Sequence, residues 1–241
     1  MSIVKVITQD ITRLTAQIYR VRLSAHHGSL FEFRGGQYLF LHLPDGKKIP
    51  LSIASAPEES QFIELHIRLV SGGGIVEEML NLFNAGEPFE IDGPYGNCFL
   101  KPGNLPVIII AGGTGLSPMK SLLESAFSRG EKREFKLFLG TQKSAELYQN
   151  DLLAELQDQY TNFEYIPVVN EPEKNWQGQC GFPHQIALTQ LGEKAKSCEY
   201  YVGGSEAMVM SVYQSLIKEG VPKELIHSDI LDIKRDSGEQ V

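Results

Sequence analysis

The chain has 241 residues, 42% of them apolar and 22% charged, with a formal net charge of −8. That length suffices for two modest cores, and an acidic balance with dispersed Lys and Arg excludes nucleic acid as a partner. No run approaches roughly 18 apolar residues and the N-terminus lacks the order of a secretory signal, which predicts no membrane partner and a cytoplasmic chain; the widely spaced Cys98, Cys180 and Cys198 predict neither a disulfide framework, nor a metal site, nor an iron–sulfur cluster of its own.

Through about residue 100 the dominant period is two. Tyr38, Phe40 and His42 alternate with Leu39, Leu41 and Leu43, and Ile63, Leu65, Ile67 and Leu69 alternate with Glu64, His66 and Arg68. With apolar stretches at 3–8, 18–23, 51–55 and 89–92, these segments predict six short strands in a small antiparallel β-barrel. One helix interrupts them, after Gly72, Gly73 and Gly74, with Ile75, Val76, Met79, Leu80 and Phe83 on one face.

After GPYG (93–96) and the loop KPGNLP (101–106) the pattern becomes strand, helix, strand, helix. Buried strands are predicted at 107–111, 135–140, 163–169 and 200–202. Between them lie 3.6-period segments such as Met119, Leu122, Leu123, Ala126 and Met208, Val209, Val212, Tyr213, Leu216. Repeating units of this kind wind into an α/β doubly wound parallel sheet. The expected division is a barrel domain at 1–101, an α/β domain at 102–233 and a loose polar tail at 234–241.

The segment VIIIAGGTGLSP (107–118) sets a glycine-rich turn at the carboxyl end of the first parallel strand, where such sheets bind ligands beside free helix amides. Gly112 and Gly113 permit close backbone approach, Thr114 offers a hydroxyl, and Pro118 suits an early helix position. The same glycines would also serve a tight turn with no ligand. Gly203, Gly204 and Ser205 repeat the arrangement after strand 200–202, Ser205 doubling as a helix N-cap. Two bare turns on one sheet edge favour a nucleotide crevice.

In order and spacing, FRGGQYLFLHL (33–43), IPLSIAS (49–55), ELHI (64–67), GPYG, AGGTGLSP (111–118), GTQKSAELY (140–148) and IPVVNEPEKNWQGQCG (166–181) resemble the ferredoxin–NADP reductase superfamily, and within it the bacterial NAD(P)H-flavin reductases. The resemblance spans nearly the whole chain. It implies a flavin-binding barrel followed by a nicotinamide-nucleotide domain, with the flavin ring in the cleft and hydride passing from nicotinamide C4 to flavin N5. It implies that Ile49, Pro50 and Leu51 line the flavin and that Ser52 directs its hydroxyl at N5. His66, Ile67 and Arg68 would meet the pyrimidine end, although His66 and Arg68 could equally form a surface charge ladder with Glu64. The amides of Gly74, Ile75 and Val76 would face flavin phosphate. Gly112, Gly113, Thr114, Gly115, Ser117 and Pro118 would take the dinucleotide with Thr141, Gln142, Gly203, Gly204 and Ser205. Glu171 would meet the adenosine ribose, favouring NADH over NADPH, with Lys143 acting in the opposite sense.

Three positions depart from that family. Ile49 stands where an arginine usually holds a flavin phosphate, Gly203 stands where a cysteine is common, and 229–232 leads into a polar tail rather than a terminal aromatic. Losing one charge-assisted hydrogen bond costs roughly 1.5–3 kcal/mol, about ten- to a hundredfold in affinity. The expectation is therefore FAD, FMN or riboflavin handled as an exchangeable substrate, unless Lys47 or Lys48 compensates. Free flavin and an acceptor such as a monooxygenase are the implied partners. The alternative is a reductase that retains FAD and passes electrons to an iron–sulfur or other redox protein.

Overall fold

A computed structural model describes residues 2–69 and 74–238, so Gly72 and Gly73 lie outside the described residues. The alternating first part forms β1 (Ser2–Arg13), β2 (Ile18–Ala25), β3 (Tyr38–His42), β4 (Lys48–Ser52), β5 (Ile63–Arg68), α1 (Ile75–Asn84) and β6 (Phe89–Tyr95). The strands make one antiparallel sheet in the order β4-β3-β6-β1-β2-β5. Its ends are drawn together where Ile53 bridges Leu65 and the Ala54 amide donates to the Glu64 carbonyl at 2.7 Å. Leu39, Leu41, Ile63, Leu65 and Ile91 point inward with Val6, Val21 and Leu23, and Met79 and Phe83 of α1 close the cluster.

Two strands differ from the periodicity. The first runs to Arg13 because a bulge between Thr8 and Asp10 shifts its register against β2 and breaks the alternation midway. The fourth begins at Lys48 and ends at Ser52, three residues earlier than 51–55. Pro50 does not interrupt it because β4 is an edge strand, where a missing N–H costs no ladder bond.

The second part forms β7 (Val107–Gly112), α2 (Leu116–Ser128), β8 (Phe135–Thr141), α3 (Asn150–Gln159), β9 (Phe163–Val169), β10 (Gln179–Cys180), α4 (Pro183–Leu191), β11 (Glu199–Gly203), α5 (Glu206–Lys218), β12 (Ile226–His227) and α6 (Asp229–Asp236). Its sheet has the order β10-β9-β8-β7-β11-β12, and its pairings are parallel. Val107 to Ala111 is buried throughout, as a parallel strand covered on both faces requires. The polar end expected to be loose from residue 234 opens instead with the last turn of α6, where Lys234 pairs with Glu206 at 2.7 Å and Arg235 with Asp232 at 3.3 Å.

The chain thus has the expected class, an antiparallel half-barrel followed by a parallel sheet with helices. It divides into two compact units, residues 1–100 with 117–129 and residues 101–116 with 130–241. Most of α2 therefore packs with the barrel unit. Gly35 makes this possible, since a Cβ there would lie 2.5 Å from the Ser121 carbonyl oxygen.

Candidate functional site

In the first unit, β4 pairs with β3 so that Ser52 faces Tyr38, Pro50 faces Phe40 and Lys48 faces His42. Ile49 and Leu51 pack against the barrel core, which leaves Lys48, Pro50 and Ser52 on the other face of the strand. Ile49 and Leu51 are nevertheless only partly buried, as is Ser52. Tyr38 also faces Tyr95 of β6, and the rings of Tyr38, Phe40 and Tyr95 lie 4.9–5.7 Å apart, one pair stacked and two edge-on. Ser52 therefore stands beside a half-buried aromatic face. The sequence displayed these rings in the alternation of GQYLFLH and in GPYG, but nothing in the alternation marked them as more than an outer face.

Lysine compensation for Ile49 meets two carboxylates. Lys47 pairs with Asp45 at 2.6 Å, and Lys48 pairs with Asp92 at 2.6 Å. Burial pushes the Asp92 carboxyl up, but hydrogen bonds from Lys48, Tyr95 and His42 outweigh it and hold it down at about 2. Gly74 caps α1 with φ +86° and no side-chain hydrogen bond, so the first-turn amides near Ile75 and Val76 have no competing side-chain cap. Glu77 and Glu78 nevertheless place two carboxylates in that turn, which opposes an anion.

His66, Ile67 and Arg68 lie on β5 just past the Ile53–Leu65 bridge, on the side where β4 and β5 part. The surface ladder does not form. Glu64 is buried, the His66 side chain is 0% exposed, and only Arg68 reaches the surface, where it donates to Gln17 at 3.1 Å. His66 Nε2 lies 3.1 Å from Glu64 Oε1, and Arg22 and Lys120 lie 3.0 and 3.3 Å from the same carboxylate. Burial raises the Glu64 carboxyl, yet the His66 hydrogen bond, the charges of Lys120 and His66 and the hydrogen bond from Arg22 hold it well below the carboxylate range. Burial depresses the His66 imidazole, with the Glu64 carboxylate offsetting part of that penalty. The His66 side chain is therefore held inside the fold and not presented at the surface.

In the second unit the two glycine turns meet. Gly203 of β11 lies beside Ala111 of β7, and a Cβ on Gly115 would come within 2.2–2.4 Å of the Gly203 and Gly204 backbone. Gly113, at φ +54°, opens a 3₁₀ turn through Gly115 that runs directly into α2. Ser117, in the first turn of α2, is buried with its hydroxyl unpartnered, and Pro118 is buried behind it. Ser205 caps α5, its oxygen accepting from the Met208 amide at 3.3 Å and its O–H left to donate. Met208 is a residue the sequence reading assigned only to a helix face. A Cβ on Gly112 would lie 2.4 Å from its sulfur and one on Gly204 2.7 Å from it, so this flexible thioether covers both turns.

Thr141, Gln142 and Glu171 come together at the carboxyl ends of β8 and β9. The Asn170 amide donates to the Thr141 carbonyl, the Glu171 amide donates to the Gln142 carbonyl, and the Gln142 side chain donates to the Glu171 carboxylate. Lys143 lies near Glu173, whose carboxyl is lowered by hydrogen bonds including one from Ser144, with the Lys143 charge assisting. Bare turns, helix amides and an exposed carboxylate at this edge suit a dinucleotide with a free ribose hydroxyl, and the hydroxyl and rings on the barrel suit a planar heterocycle. Among the described residues, no group of three His, Cys, Asp or Glu could hold a metal, and no helix is long and apolar enough to cross a membrane.

Residues 4–99 match the oxidoreductase FAD-binding domain, and residues 109–214 match the oxidoreductase NAD-binding domain. The chain is 34% identical over 212 residues to a probable flavin reductase of Photobacterium leiognathi, covering 85% of this chain and 87% of that one. It is 33% identical over 225 residues to the phenol hydroxylase P5 protein of Acinetobacter pittii, covering 91% of this chain and only 63% of that protein's length. Among solved structures, the cytochrome P450 reductase GcoB of Amycolatopsis superimposes with a TM-score of 0.85 at 25% identity, over 95% of this chain and 69% of that one.

Proposed function

We propose, from the premise that this chain belongs to the ferredoxin reductase family of FAD- and NAD-binding oxidoreductases, that it is an NAD(P)H-dependent flavin reductase supplying reduced flavin to an acceptor such as a monooxygenase. When bound, the nicotinamide supplies a hydride and the flavin accepts it. The chain's own contribution is alignment: the aromatic and proline face of β3, β4 and β6 seats the ring, and Ser52 offers one hydroxyl donor where charge develops.

The observation that carries the reading is the pairing of both lysines that precede Ile49. Lys47 and Lys48 each pair with a carboxylate, and the first turn of α1 bears Glu77 and Glu78. A flavin phosphate finds little to hold it, which favours riboflavin, FMN or FAD entering and leaving as substrate. Likeness over most of both chains to a probable flavin reductase adds support. Colourless protein after desalting that oxidises NADH with free FMN is the expected result; flavin that survives desalting with no free-flavin turnover would overturn it.

A second reading draws on the likeness to the phenol hydroxylase P5 protein over 91% of this chain. In it the chain retains FAD and passes electrons to a redox protein, and the same desalting test separates the two. For the nicotinamide, the exposed Glu171 carboxylate favours the free 2′-hydroxyl of NADH over the 2′-phosphate of NADPH. A higher kcat/KM for NADPH would reverse that preference.

A further inference from the structure

The residues that follow Ser52 are held by a helix as well as by strand contacts: the Ile53 amide donates to the Gln37 carbonyl at 3.0 Å and the Ala54 amide to the Glu64 carbonyl at 2.7 Å. Beyond the Ile53–Leu65 bridge the Ala54 carbonyl accepts from Lys120 Nζ at 3.2 Å, and the Ser55 carbonyl accepts from Ser121 Oγ at 2.6 Å. Both donors belong to α2. The Ser55 hydroxyl in turn accepts from the Glu64 amide at 3.1 Å. Lys120 has a side-chain exposure of 7%, and its three N–H groups face three acceptors: the Ala54 carbonyl, Glu64 at 3.3 Å and Glu124 at 3.0 Å. Ser121 is fully buried.

Such an arrangement is more than a short connection needs. A buried ammonium is tolerated only where it is fully paired, and here one of its three partners is the Ala54 carbonyl next to an edge strand, while Ser121 takes the neighbouring Ser55 carbonyl. Edge strands have one hydrogen-bonded neighbour and fray at their ends, while a single donor must be held to about 0.5 Å to be effective. Ser52 is the last residue of β4. We propose that Lys120 and Ser121 are positioning residues for Ser52: from α2 they clamp Ala54 and Ser55 and thereby fix where the Ser52 hydroxyl is presented. This rests on the flavin-reductase reading.

Ser121→Ala removes one donor with the smallest change of volume, whereas Lys120→Met would take a cation from both Glu64 and Glu124 and endanger folding. Ser125→Ala, one turn further along α2 and bonded to Glu58, serves as the control. In the ligand-free protein, amide hydrogen exchange at 53–55 rises at least about tenfold in Ser121→Ala and is unchanged in Ser125→Ala. In single-turnover measurements Ser121→Ala slows hydride transfer by roughly tenfold with flavin Kd unchanged, and it has no further effect when Ser52 is already alanine. A wild-type chain that oxidises no NADH with free FMN overturns the flavin-reductase reading and this proposal with it. A wild-type chain that turns over, while Ser121→Ala leaves exchange unchanged or slows the step equally with and without the Ser52 hydroxyl, overturns this proposal alone.

Discussion

Strand β4 and the turns after β7 and β11 are prepared by opposite means. On β4 the available groups are side chains: Ser52 and Pro50 stand out from an edge strand beside the Tyr38, Phe40 and Tyr95 rings, while Ile49 and Leu51 pack inward. At the turns the feature is side chains left out, with Gly115 against the Gly203 and Gly204 backbone and Gly112 and Gly204 beneath Met208. One region is therefore damaged by truncation and the other by addition. The contrast also separates two meanings of a half-buried position: on β4 it exposes a hydroxyl, and at the turns it exposes backbone amides.

The largest effect belongs to addition. In Gly115→Ala the new Cβ would sit 2.2 Å from backbone atoms that no rotamer change can move. Overpacking of this kind costs about 1–3 kcal/mol or more, a fall in Tm of roughly 5–10 °C, and nucleotide affinity should fall with it. Gly103→Ala is the reference, because its Cβ would meet only the end of Arg133 at 3.6 Å. Equal losses in the two melting curves would break the comparison.

Truncation on β4 comes next. Ser52→Ala should slow hydride transfer by about a hundredfold, the effect of removing one preorganised donor, and leave flavin binding nearly intact. Stopped-flow rates equal to those of the parent would remove Ser52 from the chemistry. A gain is expected from Ile49→Arg. Supplying a charged donor for phosphate should tighten FMN by roughly tenfold to a hundredfold and leave riboflavin unchanged, as read by fluorescence titration. An equal change for both flavins would show that Ile49 does not face the phosphate.

The sequence made these two regions unequally legible. Alternation in GQYLFLH and ELHI separates inward from outward residues, so the barrel strands could be read from periodicity, except where the Thr8/Asp10 bulge and Pro50 disturb it. Apolar runs closed by glycine made the parallel strands β7 and β8 legible in the same way, and β9 was legible as an apolar run between Asn162 and Asn170. The two-residue strands β10 and β12 carry no period and were not legible. Glycine spacing marked both turns, but spacing cannot reveal what fills the space a glycine leaves. That Gly115 abuts another turn and that Met208 covers Gly112 depend on contacts about 90 residues apart in sequence. Glu64 and His66 misled for a related reason: a polar residue opposite an apolar one reads as exposed unless its buried partners, here Lys120 and Arg22, are known.

That buried cluster supplies the smallest expected effect and the last contrast between the units. His66 titrates below its ordinary value of 6.5 because burial disfavours the imidazolium, with Glu64 offsetting part of the penalty and Lys120 and Arg20 adding to it. Between the ordinary and the depressed value the unfolded chain binds more protons than the folded one, so stability falls as pH drops through that window. Glu64 and Asp92, both held low, keep their contribution until pH falls below their ordinary values of 4.5 and 3.8 and then lose it progressively. His66→Gln keeps a donor for Glu64 but cannot titrate. Hydrogen exchange in β5 of the variant should lose the acid dependence just below pH 6.5 and keep the loss below 4.5. His184, depressed by burial in the second unit, should continue to act on its own surroundings in both proteins. If β5 of the variant loosens over the same pH range as the parent, the imidazole is a packing element and the acid response of the first unit belongs to its carboxylates.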